Sequence, residues 1–266
     1  MNQLICPKCK NELNISGKSL VCQNNHCYDL AKEGYVNLLS SNKNGSLIGD
    51  NRDMAISRRD FLNKGYFSSL AKALEEELKK TKTVSPAVLD ICCGEGYYSS
   101  YLKERCDGKF IGFDISKEMV RLAAKRKNGV TYFVANMTDI PLKSECIDFA
   151  FHLFAPFYES EFYRVLKSGG TLISVTPGEK HLFSLKKALY DTPYENDEAP
   201  PKTDNLKLIE QRKVSAKILL NSNEDIQSLF KMTPYYYHTS DDNKKRLDAL
   251  DSLETETEFL LNIYKK

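Results

Sequence analysis

The 266-residue chain has no apolar run approaching the roughly 20 residues that a helix needs to cross a bilayer, so a helical membrane span is not expected. Its opening residues, MNQLICPKCK, lack the basic-then-apolar pattern of an export signal. A cytoplasmic location and no membrane partner are the expectation. The chain also has little net charge, +2, and so no global basic signature of nucleic-acid binding. No internal repeat is visible.

What charge there is lies unevenly. Residues 1–83 hold thirteen Lys+Arg against nine Asp+Glu, a modestly basic third that suits a polyanionic partner. Its candidate phosphate contacts are Lys8, Lys10 and Lys32, then Arg58, Arg59 and Lys64.

In a reducing compartment the eight cysteines need an explanation other than disulfides. Cys6, Cys9, Cys22 and Cys27 crowd the first 27 residues, and the other four are scattered and read as small buried side chains. Cys6-Pro-Lys-Cys9, then Cys22 and His26, can supply two ligand pairs across a short hairpin, a closed tetrahedral set best suited to structural zinc. Cys27 follows His26 directly and competes with it as the fourth ligand.

The chain divides into a zinc module (1–39), a linker with two helices (40–83) and a large α/β domain (84–266). Residues 40–52 (SSNKNGSLIGDNR) are polar and rich in Gly, Ser and Asn, which reads as a loop. Helical spacing of apolar residues follows at 53–63 and 66–80. Beyond residue 84, apolar strands at 87–91, 109–114, 130–134, 147–154 and 171–175 alternate with helices at about 97–105, 117–127, 159–166 and 181–190. That alternation predicts a parallel sheet with right-handed crossovers and helices on both faces. A β-like segment (206–220), a short helix (223–231) and a final stretch ending EFLLNIY complete it.

Ligands in such sheets bind outside the carboxyl ends of the strands. There the first strand runs into Asp90-Ile-Cys-Cys-Gly94-Glu95-Gly96, and Asp114 ends the second strand, placed to accept ribose hydroxyls. The loop lacks the Gly-x-Gly-x-x-Gly fingerprint of dinucleotide folds, and Asp90 and Glu95 would repel a pyrophosphate. An acidic turn of this kind suits a cationic adenosyl cofactor, S-adenosylmethionine. Asn136, Met137 and Thr138, after the third strand, are placed to border an adenine. His181 follows the fifth strand at the rim, where it could contact cofactor or base, and Asp50 precedes the pocket in the polar loop. His152, inside an apolar strand, reads as core. The run Tyr235-Tyr-Tyr237 reads either as base-stacking or as core packing.

Taken together these blocks resemble the bacterial 23S rRNA (guanine-N1)-methyltransferases over nearly the full chain. The resemblance rests on the Cys/His set and Asp29-Leu-Ala-Lys-Glu-Gly-Tyr-Val-Asn-Leu-Leu39, on Gly49-Asp50, Met54 and Arg58-Arg59-x-Phe61-Leu62-x-x-Gly65, and on Val88-Leu-Asp-Ile. It continues through Gly94-Glu-Gly-Tyr-Tyr98, Phe113-Asp-Ile-Ser-Lys117, Thr176-Pro-Gly178, His181-Leu182 and Met232-Thr-Pro234. It implies a Rossmann-like, seven-stranded class I methyltransferase sheet whose last strand, at 255–264, runs antiparallel. It implies zinc on Cys6, Cys9, Cys22 and His26, and cofactor contacts at Phe67, Gly94, Glu95 and His181. The implied substrate is a guanine in a 23S rRNA hairpin loop, turned out of its stack to react. Guanine N1 must lose a proton, so a carboxylate or imidazole, with Asp50 and His181 the candidates, or donors facing O6, would be needed.

Two departures stand out. Cys92 occupies a position that is glycine in the family, which strains or reshapes the loop if positive φ is required. Phe67 replaces a frequent tyrosine, losing a hydroxyl unless Tyr66 supplies it. A small-molecule methyltransferase and a non-catalytic zinc-dependent RNA-binding protein are the rival readings. Association as a homodimer would enlarge the basic surface, and deletion of residues 1–39 is expected to abolish RNA methylation while sparing cofactor binding.

Overall fold

The structure is a computed structural model and describes residues 3–39 and 52–266. The N-terminal segment folds as three short antiparallel strands, β1 (Asn14–Ser16), β2 (Ser19–Val21) and β3 (Cys27–Asp29), followed by β4 (Val36–Asn37). Helices α1 (Arg52–Asn63) and α2 (Ser68–Lys79) come next. The alternating region then runs β5 (Ala87–Ile91), α3 (Tyr97–Arg105), β6 (Lys109–Asp114), α4 (Lys117–Lys125), β7 (Thr131–Val134), β8 (Ile147–Leu153), α5 (Glu159–Val165), β9 (Leu166–Pro177) and α6 (Phe183–Leu189). The chain closes with β10 (Lys207–Leu220), α7 (Asn223–Lys231), α8 (Tyr235–His238), α9 (Asp241–Asp248) and β11 (Leu253–Lys265).

The large sheet has the order β10-β11-β9-β8-β5-β6-β7-β4. The strands from β4 to β9 pair parallel, whereas β11 is antiparallel to both β9 and β10. Each residue of β5 is buried, as expected of a central strand covered by helices on both faces. Ser116 and Ser222 cap α4 and α7 by accepting the backbone N–H of Met119 and Asp225.

Two corrections follow. The expected seven-stranded sheet has eight strands among the described residues. The added one is β4, which pairs parallel with β7 through Val36–Phe133 and Asn37–Val134. Two residues are too few to register as a strand by alternation; the neighbour's open edge creates it. The second correction is α9, absent from the periodicity reading because only Leu247 of its eight residues is buried. The Ser240 cap and the Lys244–Asp241 and Lys245–Asp242 pairs support it instead.

The zinc module is docked, not tethered. Leu4, Leu13, Leu20, Val36 and Leu38 share one apolar cluster with Leu89, Phe113, Phe133 and Leu142 of the large domain. Backbone bonds cross the seam, from Ile5 N–H to the Pro141 carbonyl (3.0 Å) and from Lys143 N–H to that of Gln3 (2.9 Å).

Candidate active site and metal centre

The ligand atoms of Cys6, Cys9, Cys22 and His26 all lie within 4.8 Å of one another. His26 Nδ1 is 3.4 Å from Cys6 Sγ and 3.5 Å from Cys22 Sγ, and the Cys9 and Cys22 sulfurs are 3.6 Å apart. A tetrahedron with zinc–sulfur and zinc–nitrogen bonds of ordinary length has edges of about 3.6 Å (S···N) and about 3.8 Å (S···S). The donor set therefore suits zinc, with three of its edges at about tetrahedral length. Cys27 is exposed and outside the set, and His26 completes the cluster. Burial alone would push the Cys6 thiol up; the Tyr28 hydroxyl at 3.2 Å and the backbone N–H groups of Cys9 and Lys8 outweigh it and bring it down to about 6. Such a thiol is readily the thiolate a metal needs.

At the carboxyl ends of β5, β6, β8 and β9 lies a cleft of 740 Å³, within the range of small-molecule sites. Phe67, Gly94, Asp114, Met137 and His181, all expected at the site, line it. Asp114 organises the turn: its carboxylate accepts Gly94 N–H at 3.0 Å and Ser116 N–H at 2.9 Å. Cys92 also lines the cleft and has φ 58°, the torsion that strains a non-glycine residue. Burial, with the Asp114 and Asp90 charges, pushes its thiol up to about 12, so it stays neutral. Gly96, at φ 81°, could not be anything else: a Cβ there would come within 2.7 Å of the Tyr132 hydroxyl and 2.8 Å of Ala123 Cβ.

Asp90, Glu95, Gly96 and Asn136 support the turn from behind and do not line the cleft. Asp90 is buried and accepts Ser99 Oγ–H at 2.6 Å; burial, then the neighbouring Asp114 and Glu95 charges, raises its carboxyl to about 8. Glu95 is held by Arg126. Asn136 accepts Thr138 N–H and shapes the loop that presents Met137.

His181 packs in a triangle of rings with Phe154, inclined by 26° at 5.8 Å, and Phe259 at 5.0 Å. Its Nδ1 accepts Glu258 N–H at 3.2 Å, which assigns the proton to Nε2. Burial, reinforced by the Lys186 charge, drives it down to about 3. His181 is thus a neutral donor at neutral pH. His152 is a core residue, with Nε2 donating to the Pro156 carbonyl at 2.8 Å. Tyr66 gives its hydroxyl to Asp225 at 2.8 Å and does not replace the one missing at Phe67. Asp50 lies outside the described residues.

Of the basic residues, Lys8 and Lys32 are exposed; Lys10 pairs with Asp139, Arg59 with Asp60 and Lys64 with Asp225. Arg58 lines the cleft beside Gly94. Sequence reasoning missed Phe154, Tyr194 and Asn196, which also line it. Phe154 could have been found, since it directly follows β8 at the ligand-binding end of the sheet. Tyr194 and Asn196 sit in a polar stretch with no such signal. Of the tyrosine run, Tyr235 is buried and lines the cleft, whereas Tyr237 is exposed.

Residues 4–47 match the zinc-ribbon family described as "RlmA, N-terminal", and residues 88–170 match a methyltransferase domain. A Streptomyces fradiae protein named 23S rRNA (guanine(748)-N(1))-methyltransferase is 35% identical over 190 residues, 70% of this chain and 67% of its own. YxjB of Bacillus subtilis (strain 168), whose name gives the same class of reaction, is 30% identical over 269 residues, 94% of this chain and 92% of its own. The chain belongs to the 23S rRNA (guanine-N1)-methyltransferase family. It carries that family's two parts, an S-adenosylmethionine-dependent methyltransferase domain and a structural zinc site. Among solved structures, YcgJ of Bacillus subtilis is similar with a TM-score of 0.48 and 16% identity, over 73% of this chain and 98% of that one. Among the described residues no helix is long and apolar enough to cross a membrane.

Proposed function

We propose that this protein methylates N1 of a guanine in a 23S rRNA hairpin loop in the cytoplasm, and that residues 1–39 are its RNA-recognition module. One observation carries the reading. The zinc module completes the sheet edge at β7, and the loop leaving β7 holds both Met137, in the cleft wall, and Asp139, paired with Lys10 of the module. A platform bearing exposed Lys8 and Lys32 therefore adjoins the cofactor end of the cleft, where phosphate contacts would position a hairpin.

When bound, S-adenosylmethionine supplies an electrophilic methyl group on a sulfonium. Asp114 would accept from its ribose hydroxyls, the turn at Cys92–Gly96 would let the backbone approach closely, Met137 would border the adenine, and Phe67 would close the apolar wall. Asp90, through Ser99, and Glu95, through Arg126, hold the turn in shape. With Nδ1 occupied, His181 would donate from Nε2 to cofactor or base and would not take up the N1 proton, which leaves to solvent water. Methyl transfer then depends mainly on alignment of N1 with the donor. Two copies joined as a homodimer would extend the basic surface, a state that sedimentation in solution reads directly.

The test is reverse transcription of 23S rRNA from cells with and without the protein, beside methyl transfer by purified zinc-loaded protein. A stop at one guanine that appears only with the protein is expected, because N1 methylation blocks pairing. Identical stop patterns, or preferential methylation of small-molecule acceptors, would overturn the assignment.

A further inference from the structure

Phe154 stands where β8 ends, next to the strand that carries the cofactor turn, and its backbone has φ 53°. An L-residue with a bulky side chain holds that torsion only where its surroundings impose it. Here they do. Phe154 N–H donates to the Val175 carbonyl at 3.1 Å, and two residues on the Pro156 carbonyl accepts from buried His152. Its ring is inclined by 26° to that of His181 with centroids 5.8 Å apart, and its centroid is 5.9 Å from that of tilted Phe259, yet 44% of the residue remains exposed. Phe154 therefore lines the cleft with much of its surface open. Phe67 and Tyr235, the other aromatic carbocycles of the wall apart from Tyr194, are buried.

We propose that the exposed face of Phe154 is the platform on which the extruded target purine stacks, its ring backed by His181. The proposal rests on the rRNA reading above and adds the residue that seats the base. A π-face accepts any base, so Phe154 orients the acceptor and does not select guanine.

The test compares Phe154→Ala, Phe154→Leu, Phe154→Tyr and Phe154→Trp, zinc-loaded, on unmethylated 23S rRNA, with S-adenosylmethionine affinity measured calorimetrically on each. Alanine and leucine should lower kcat/KM for RNA about tenfold or more, the order expected when a base loses its aromatic partner. Tyrosine and tryptophan should restore it, and cofactor affinity should be unchanged throughout. Full activity of the alanine variant, rescue by leucine, or parallel loss of cofactor affinity would each overturn the platform while leaving rRNA methylation standing. A wild-type protein inactive on rRNA would instead remove the function on which the platform rests.

Discussion

Replacing Arg126 by methionine should destabilise the protein in a way that depends on pH. Glu95 is 1% exposed; its Oε2 accepts from Arg126 Nε at 3.0 Å and again from Nη2, while Oε1 has no hydrogen-bond partner. Arg126 also donates to the Glu95 carbonyl and to Asn63 Oδ1, each at 2.9 Å. Burial pushes the Glu95 carboxyl up, and Arg126 offsets part of that push. Without Arg126 the buried carboxyl takes a proton. The cost of protonating a group that ordinarily titrates near 4.3 is capped at about 3.7 kcal/mol at pH 7 and about 1 kcal/mol at pH 5. Some of that penalty is already present in the wild type, so Arg126→Met should lose roughly 2–3 kcal/mol at pH 7. The sign is fixed: the folded variant binds more protons than the unfolded chain, so its deficit shrinks as pH falls. Urea unfolding of zinc-loaded protein at pH 7 and pH 5 measures both values, and Glu95→Gln added to Arg126→Met should recover most of the loss. A deficit that is the same at both pH values, or a double variant as unstable as the single, would refute the argument.

Asp90, raised to about 8 and buried, should make the cofactor-free protein less stable as pH rises from about 4 toward 8, because the folded state holds a proton that the unfolded chain has released. Asp90→Asn should flatten that slope, by up to about 1.4 kcal/mol per pH unit, in urea titrations at pH 6 and 7.5; an unchanged slope would place the titration elsewhere. Cys92→Gly relieves about 1–2 kcal/mol of left-handed strain and adds roughly 0.5–1 kcal/mol of unfolded-state entropy. Its stability should therefore be unchanged to about 1.5 kcal/mol higher, with cofactor affinity at least equal; destabilisation beyond about 1 kcal/mol on thermal unfolding would show that the turn is not strained. Removing zinc with a chelator should unfold residues 3–39 and expose the β7 edge, raising hydrogen exchange at Val134. Exchange there that ignores chelation would mean that β4 docks without the metal.

The sequence was most legible where one local rule decided the outcome. β5, β6 and α3 fall on the expected residues because apolar runs, a glycine turn and a helix start coincide. The metal set was equally plain in its spacing, but only three-dimensional placement separates His26 from the exposed Cys27. The cleft was half legible. Gly94 and Asp114 announce themselves by their place after strands, whereas Tyr194 and Asn196 reach the site through a strap without regular structure. That strap is pinned by Lys186, a buried lysine donating to the Tyr194 carbonyl at 2.9 Å and Asn196 Oδ1 at 2.8 Å. A lysine in a helical stretch reads as solvated surface, and nothing local says otherwise. Glu95 misled in a related way: its acidity points to a cationic ligand, while the fold spends its charge on Arg126.

The docking of the zinc module changes what a deletion of residues 1–39 would report. From spacing and composition that segment reads as separable, so its removal should cost RNA binding alone. In the fold Leu4, Leu13, Leu20, Val36 and Leu38 are buried against β5, β6 and β7, and β4 covers an edge that would otherwise be open. Deletion therefore exposes core and a free strand edge, and it removes the partner of Asp139 beside Met137. Loss of activity would follow whether or not the module touches RNA. The informative change is charge reversal at Lys8 and Lys32, which are exposed. Lys8→Glu with Lys32→Glu should leave unfolding and cofactor affinity at wild-type values. It should also raise KM for rRNA severalfold and reduce the salt dependence of binding, since two phosphate contacts are lost. Unchanged KM and salt slope would remove the module from the RNA interface and leave it a structural cap on β7.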